Sequence, residues 1–311
     1  MSMKNIVVAG GGVLGSQIAF QTAFKGFNVT IWLRSEGSIG RAKPKLERVK
    51  NIYLTTLEQM KTDPSAYCNG FTDKKDLTDD EIDELKNKAE LAYDNITLTT
   101  SYAEAGNDAD LIIEAIAEDP KQKIPFYQEL AKNIPDKTII VTNSSTLLPS
   151  AFAEYTGRPE KYLALHFANS IWKNNTAEVM GHAGTDQKYY DIVVDFAEKI
   201  GMVPLQLKKE QPGYILNSML VPFLNAAEML YAKGVADPET IDKTWVLATG
   251  APFGPFRILD IVGLTTAYNI VIMNPNASDI ETIEGKIAAM LKEKIDAGKT
   301  GINAGEGFYK Y

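Results

Sequence analysis

Apolar positions in the first two thirds of the chain come in short unbroken blocks, and between the blocks they recur at helical spacing. Ile6-Val7-Val8-Ala9 is ended by three glycines, after which Val13, Leu14, Ile18, Ala19 and Ala23 mark one face of a helix. Val29-Thr30-Ile31-Trp32-Leu33 follows Gly26, which makes the opening a compact strand, helix, strand unit. Further buried strands are predicted at 110–113, 138–141, 162–165 and 203–207, with helices at 121–133 and 189–200 between them. This alternation predicts a parallel sheet with helices on its faces. A highly charged stretch, about 41–92, interrupts it; Thr78-Asp79-Asp80-Glu81 reads there as a capping box, so the stretch is expected to be a helical excursion at the sheet edge. Lys208-Lys-Glu-Gln-Pro-Gly213 then turns the composition polar. Beyond it only helical patterns recur, near 214–233, 238–249, 255–270 and 280–297. The expected organisation is therefore residues 1–208 as an α/β domain and 209–311 as an all-α domain.

Composition narrows the function classes. The chain has 311 residues, 45% hydrophobic and 23% charged, enough for large packed cores. Its formal charge of −8 disfavours nonspecific binding to nucleic acid or to anionic membranes, so a small molecule is the expected partner. The single cysteine, Cys68, fits a reducing cytoplasm, and with only His166 and His182 as histidines no metal site of the Cys/His kind is expected. No export signal and no membrane span is read.

Gly10-Gly11-Gly12-Val13-Leu14-Gly15 satisfies Gly-x-Gly-x-x-Gly in the context that gives this pattern meaning, after a strand and opening a helix. Gly10 permits the turn, Gly12 lets the backbone approach a pyrophosphate, and Gly15 lets helix and strand pack. The helix start at Val13 and Leu14 would then face the anion. The fold class is thus α/β, a Rossmann-type doubly wound parallel sheet followed by the all-α domain. Where a ribose-binding acid belongs in an NAD site, the second strand ends in Leu33-Arg34-Ser35. Arg34 and Ser35 suit a 2′-phosphate, so the cofactor is expected to be NAD(P)(H) with a lean to NADP(H).

His166 ends a predicted strand, at the sheet edge where ligands bind in such folds. Glu178 follows in Thr-Ala-Glu-Val-Met, and Thr142-Asn-Ser-Ser-Thr146 ends another strand. Together they supply a group that titrates near neutrality, a carboxylate to orient it, and donors for an oxyanion.

With these residues in place the sequence resembles the L-3-hydroxyacyl-CoA dehydrogenase family, including its 3-hydroxybutyryl-CoA dehydrogenases. The resemblance covers nearly the whole chain in order: the glycine turn, Asn143-Ser144-Ser145, His166-Phe167-x-Asn169, Glu178, Pro212-Gly213-Tyr214-Ile215-x-Asn217, Gly254-Pro255-Phe256, Leu259-Asp260, Val262-Gly263-Leu264 and Gly305-Glu-Gly-Phe-Tyr309. The wording of 143–149, 164–169 and 237–245 most resembles the branch that contains diketoreductase. The resemblance implies hydride transfer between a nicotinamide and carbon 3 of a 3-hydroxy or 3-oxo acyl compound, for which the family's usual form is a CoA thioester. It implies His166 as general base, Glu178 as its orienting partner, and Ser145 and Asn217 as donors to the substrate oxygen. Cofactor contacts carry over to Asn143, Glu118, Lys123, Asn169 and Lys299; the residues alone also allow Glu118 and Lys123 to be a solvated pair of charges. A homodimer formed through the helical domain, and a place in fatty acid metabolism, are implied as well.

The chain departs from the family at 169–175 and at Ser218, where an arginine is usual, which implies an altered acyl pocket. No match to the family's coenzyme A contacts is found in the excursion, and the acid-rich 72–90 would repel a 3′-phosphate. A reductase of free 3-oxo acids, esters or diketo compounds is therefore the alternative. A non-catalytic dinucleotide-binding or crystallin-like protein is a second one, against which stands the complete set Ser145, His166, Glu178 and Asn217.

Overall fold

The structure is a computed structural model describing residues 3–311. The chain divides after Ile215 into two compact units.

In the first unit the elements run β1 (Asn5–Ala9), α1 (Val13–Phe24), β2 (Asn28–Trp32), α2 (Glu36–Met60), α3 (Asp79–Asn95), β3 (Thr97–Thr99), α4 (Tyr102–Gly106), β4 (Leu111–Glu114), α5 (Pro120–Leu130), β5 (Ile139–Thr142), β6 (Tyr162–Phe167), β7 (Thr176–Met180), α6 (Gln187–Lys199) and β8 (Val203–Leu207). They build one sheet in the order β3-β2-β1-β4-β5-β6-β7-β8. Side chains alternate between its faces: Ile6, Val8, Leu111, Ile113, Ile139 and Val141 join the core under α1, α2, α3 and α6. Val7, Ala9, Ile112 and Ile140 join the other, with Phe126, Tyr127 and Tyr162. Both faces are covered, which is why these strands read as continuous apolar blocks.

Two expectations are corrected. The sheet is not wholly parallel: β7 pairs antiparallel with β6, and β8 follows β7 in parallel, so the last two strands run against the other six. β7 escaped the pattern reading because its centre is a glutamate. And β8, expected to be buried, is an edge strand with Val203 and Leu205 exposed. The short β3 at the opposite edge was also not foreseen.

The excursion is a pair of long packed helices, α2 and α3, and begins at Glu36 rather than near 41, with Gly37, Gly40 and Pro44 inside α2. Thr78 and Glu81 form the capping box at the start of α3. Several of its acids are paired, Asp83 with Lys61 at 2.7 Å and Glu81 with Lys74, which weakens the repulsion expected from them.

The second unit is helical: α7 (Leu216–Ala232), α8 (Pro238–Thr249), α9 (Pro255–Val262), α10 (Leu264–Val271) and α11 (Ile283–Asp296) pack around Leu224, Phe256, Leu259, Leu264, Ile287 and Leu291. The single helix expected over 255–270 is broken at Gly263, whose φ of 94° no side-chain-bearing residue adopts easily. Two carboxylates staple this unit. Asp242 accepts from the Phe256 and Arg257 amides at the start of α9, and Asp260 accepts from the Phe308 and Tyr309 amides and the Tyr311 hydroxyl. Gly254 and Gly307 lie so close to these carboxylates that a Cβ at either would collide with them. The Gly-Pro-Phe and Gly-Phe-Tyr motifs of the second unit thus serve its architecture.

Candidate active site

The glycine turn sits between β1 and α1, where strand order reverses on either side of β1. Gly10 has φ 122°, and a Cβ there would lie 2.4 Å from the Ala115 carbonyl oxygen; a Cβ on Gly15 would lie 2.2 Å from the Gly10 carbonyl oxygen. Gly12 differs: a Cβ would meet nothing within 4 Å, so the protein's own packing does not demand glycine there. Gly12 is also the N-cap of α1, with no side-chain cap and no acid in the first turn, which leaves the amides opening the helix at Val13 and Leu14 without a side-chain acceptor. An open glycine over an uncapped helix start fits a dinucleotide pyrophosphate.

Beside the turn lies a groove of about 720 Å³, lined among others by Gly12, Leu33, Arg34, Arg41, Lys45 and Lys121. Lys45 donates to the Gly11 carbonyl and Arg41 to Ser38 Oγ, which is 3.0 Å from Ser35 Oγ. Arg34 reaches across to Gln122 Oε1 at 3.1 Å. Arg41, Lys45 and Lys121 were not foreseen, because their part in the groove follows from where α2 and α5 begin.

His166 and Glu178 lie opposite one another in the β6–β7 register, and this antiparallel pairing unites residues 12 apart in sequence. His166 Nδ1 is 3.0 Å from Glu178 Oε2, and its Nε2 is 3.1 Å from Ser145 Oγ, an exposed hydroxyl on the loop after β5. An ionised carboxylate can only accept, so Nδ1 is the ring nitrogen that donates to Glu178, and Nε2 is the one that faces the Ser145 hydroxyl. The second Glu178 oxygen accepts from the Ile215 amide at 2.8 Å. Tyr214 stacks on the imidazole, ring centroids 4.3 Å apart and planes within 10°, and its hydroxyl donates to the Ser144 carbonyl. These bonds hold 214 and 215 to the sheet, so the first unit extends past the expected boundary at 208.

Glu118 and Lys123 are not a solvated pair of charges. Lys123 is 1% exposed and donates to Glu114 at 2.6 Å. Glu114, fully buried at the end of β4, also accepts from Tyr127, Thr142 and the Ile116 amide. Glu118 gathers the hydroxyls of Ser144 and Thr146 and the Thr146 amide, so it braces both neighbours of Ser145. Burial pushes the Glu118 carboxyl up, but these donors and Lys123 outweigh it and hold it below the usual carboxylate range. Glu114 was missed, although a carboxylate closing an apolar strand block was its visible signal. Asn143 accepts from the Phe167 amide, tying the loop after β5 to β6, and exposed Asn169 opens the β6–β7 loop, where its carbonyl accepts from Asn174. His182 is a part-buried loop organiser bonded to the Pro159 carbonyl rather than a surface residue. Asn217 and Lys299 belong to the second unit, in the first turn of α7 and in an ion pair with Glu306 at 2.7 Å.

The chain matches the family models for the 3-hydroxyacyl-CoA dehydrogenase NAD binding domain over residues 5–211 and the 3-hydroxyacyl-CoA dehydrogenase C-terminal domain over 213–311. It is 31% identical over 309 residues to the mitochondrial hydroxyacyl-coenzyme A dehydrogenase of Homo sapiens, covering 99% of this chain and 91% of that one. To a probable 3-hydroxybutyryl-CoA dehydrogenase of Bacillus subtilis it is 30% identical over 311 residues, 100% and 98% of the two chains. A solved diketoreductase, described for dual catalysis of dicarbonyl compounds, is 49% identical with a TM-score of 0.85 and full coverage of both chains.

Proposed function

Because the chain belongs to the 3-hydroxyacyl-CoA dehydrogenase family, and is an oxidoreductase of that type with an NAD-binding domain, we propose that it interconverts a 3-hydroxyacyl and a 3-oxoacyl compound with His166 as the general acid/base. The observation that carries this reading is the Glu178, His166, Ser145 chain of hydrogen bonds at the sheet edge. Glu178 holds the proton on Nδ1 and keeps Nε2 basic. In oxidation Nε2 takes the substrate hydroxyl proton while Ser145 donates to the same oxygen, and Glu178 stabilises the imidazolium that forms. In reduction the imidazolium returns that proton to the forming alkoxide. The family resemblance gives Asn217 as a second donor to the substrate oxygen. A bound nicotinamide would supply the hydride acceptor in one direction and the hydride donor in the other. Gly10, Gly12, Val13, Leu14 and Gly15 would hold its pyrophosphate, Leu33 and Arg34 would lie beside its adenosine, and Asn143, Asn169, Glu118 and Lys123 would stand around the rest; the family resemblance adds Lys299.

The finer cofactor reading is NADP(H), supported by Arg34, Arg41, Lys45 and Lys121 along the groove, where Glu129 is the acid lining it. Two substrate forms are read. A CoA thioester follows the curated relatives' names; a free dicarbonyl compound is favoured by the 49% identity to diketoreductase. A homodimer through the second unit is supported by its exposed Met219, Leu230, Ile261, Ile270 and Met273. A cytoplasmic site of action rests on the single unpaired Cys68.

One experiment tests the activity, the cofactor and the substrate form: oxidation of NADPH and of NADH with acetoacetyl-CoA and with a free 3,5-dioxo ester, on the wild type and on Arg34→Asp. Turnover is expected, with NADPH preferred, and Arg34→Asp is expected to move the kcat/KM ratio at least about tenfold toward NADH. Turnover of the ester alone selects the free-substrate form. An unchanged ratio overturns the NADP reading, and cofactor binding without turnover of either substrate overturns the activity.

A further inference from the structure

We propose that Tyr214 is a positioning residue for His166, fixing the imidazole by its parallel stack and favouring the imidazolium; this rests on the role given to His166 above. The two in-plane hydrogen bonds of the imidazole set its direction, yet they leave the ring free to tilt about the line joining them. A ring 4.3 Å away and within 10° of parallel blocks that tilt on one face. An aromatic face next to a cation is also attractive, and the attraction exists only when His166 is protonated.

Tyr214 is itself held with unusual firmness. It is 1% exposed, its hydroxyl donates to the Ser144 carbonyl at 2.7 Å, and its amide donates to the Gln211 carbonyl. Its φ is 54°, in the left-handed region, a costly conformation for a bulky residue that persists only where the surroundings over-determine it. The turn it makes brings the next amide, Ile215, onto Glu178. One dipeptide therefore touches the imidazole, the carboxylate behind it and the backbone beside Ser145.

The ionisable groups facing this ring pair are Glu178 from β7 and, on the phenol side, Glu118, Glu114 and the buried phenol of Tyr162 from β6. Lys123 pairs with Glu118 and Glu114, and the loop after β5 presents only uncharged Ser144, Ser145 and Thr146. Exchanging the aromatic ring thus leaves the charges around His166 in place.

The chain has two histidines, so imidazole NMR titration of the full-length protein resolves both, with His166→Gln as the assignment and His182 as internal reference. Tyr214→Met, which fills the volume without a π face, is expected to move the His166 midpoint down by about half a pH unit and leave His182 unmoved. Its kcat is expected to fall about tenfold, with the KM for cofactor within twofold of wild type. Tyr214→Phe keeps the stack and is expected to titrate as the wild type. A Tyr214→Met midpoint at the wild-type pH, or a Tyr214→Phe midpoint displaced as far as that of Met, overturns the proposal. If the Met variant does not fold, Tyr214→Leu is read in the same way. The titration needs no substrate, so its failure is distinct from failure of the proposed activity, which would show as His166→Gln turning over at the wild-type rate.

Discussion

Both units of this protein bury charged side chains, but they use them differently. In the first unit Glu114, Lys123, His166 and Glu178 lie at or near the carboxyl ends of β4, β5 and β6, and each is matched by several partners. In the second, Asp242 and Asp260 are spent on backbone amides and tyrosine hydroxyls that close the helical packing, and Glu228 keeps one carboxylate oxygen with no hydrogen-bond partner among the described residues. Burial of a charge therefore does not mark function by itself. What separates the two units is whether the buried groups leave an atom turned toward a place where a ligand can stand. His166 Nε2, against the exposed Ser145 hydroxyl, does so; the oxygens of Asp260 are consumed by the protein.

The sharpest test of that contrast is His166→Gln. It should lower kcat on the order of 10³-fold, with cofactor affinity and unfolding midpoint near wild type, because glutamine can still hydrogen-bond but cannot carry the proton. Steady-state kinetics beside a cofactor titration decides it. Wild-type turnover would place the chemistry elsewhere.

Asp260→Ala should do the reverse. It strips the acceptor from the Phe308 and Tyr309 amides and the Tyr311 hydroxyl, which should cost about 3 kcal/mol in urea unfolding while binding of the dinucleotide by the folded protein is unchanged. A variant as stable as wild type but weak for cofactor would erase the distinction between the units.

The smallest expected effect is at Glu228, where burial pushes the carboxyl up to about 7. The unfolded chain releases this proton from about pH 4.5 upward while the folded one retains it, so Glu228 subtracts stability as pH rises between the two values and by a constant amount above them. Glu228→Gln cannot ionise. It should match wild type near pH 4 and exceed it at pH 8 by about 1 to 2 kcal/mol, a discount on the full shift for solvent reaching the site. Equal midpoints at pH 8 would show that the carboxyl finds a partner in solution.

Much of the fold was legible because its signals are local. A strand covered on both faces must be apolar throughout, and a turn whose Gly10 and Gly15 collide with neighbouring backbone must keep glycine, so β1, the glycine turn and α1 announce themselves within a dozen residues. The same reasoning failed at β7, where the strand centre is the charged Glu178, and at the start of α2, where Gly37 and Gly40 are tolerated inside the helix. The identities of Ser145, His166 and Glu178 could be picked out by type and by family resemblance, but not their arrangement.

The sequence by itself determined the class of sheet, the place of the dinucleotide turn and the pool of side chains able to move a proton, because periodicity, glycine sterics and side-chain chemistry act over a few residues. Tertiary structure alone decided that β7 would run backwards to set Glu178 opposite His166, that Tyr214 would close over the imidazole, and that Lys123 would be buried on Glu114. Those outcomes depend on the register of strands and on contacts between residues far apart in the chain, where burial and pairing of charge are settled by the whole packed unit rather than by any segment of it.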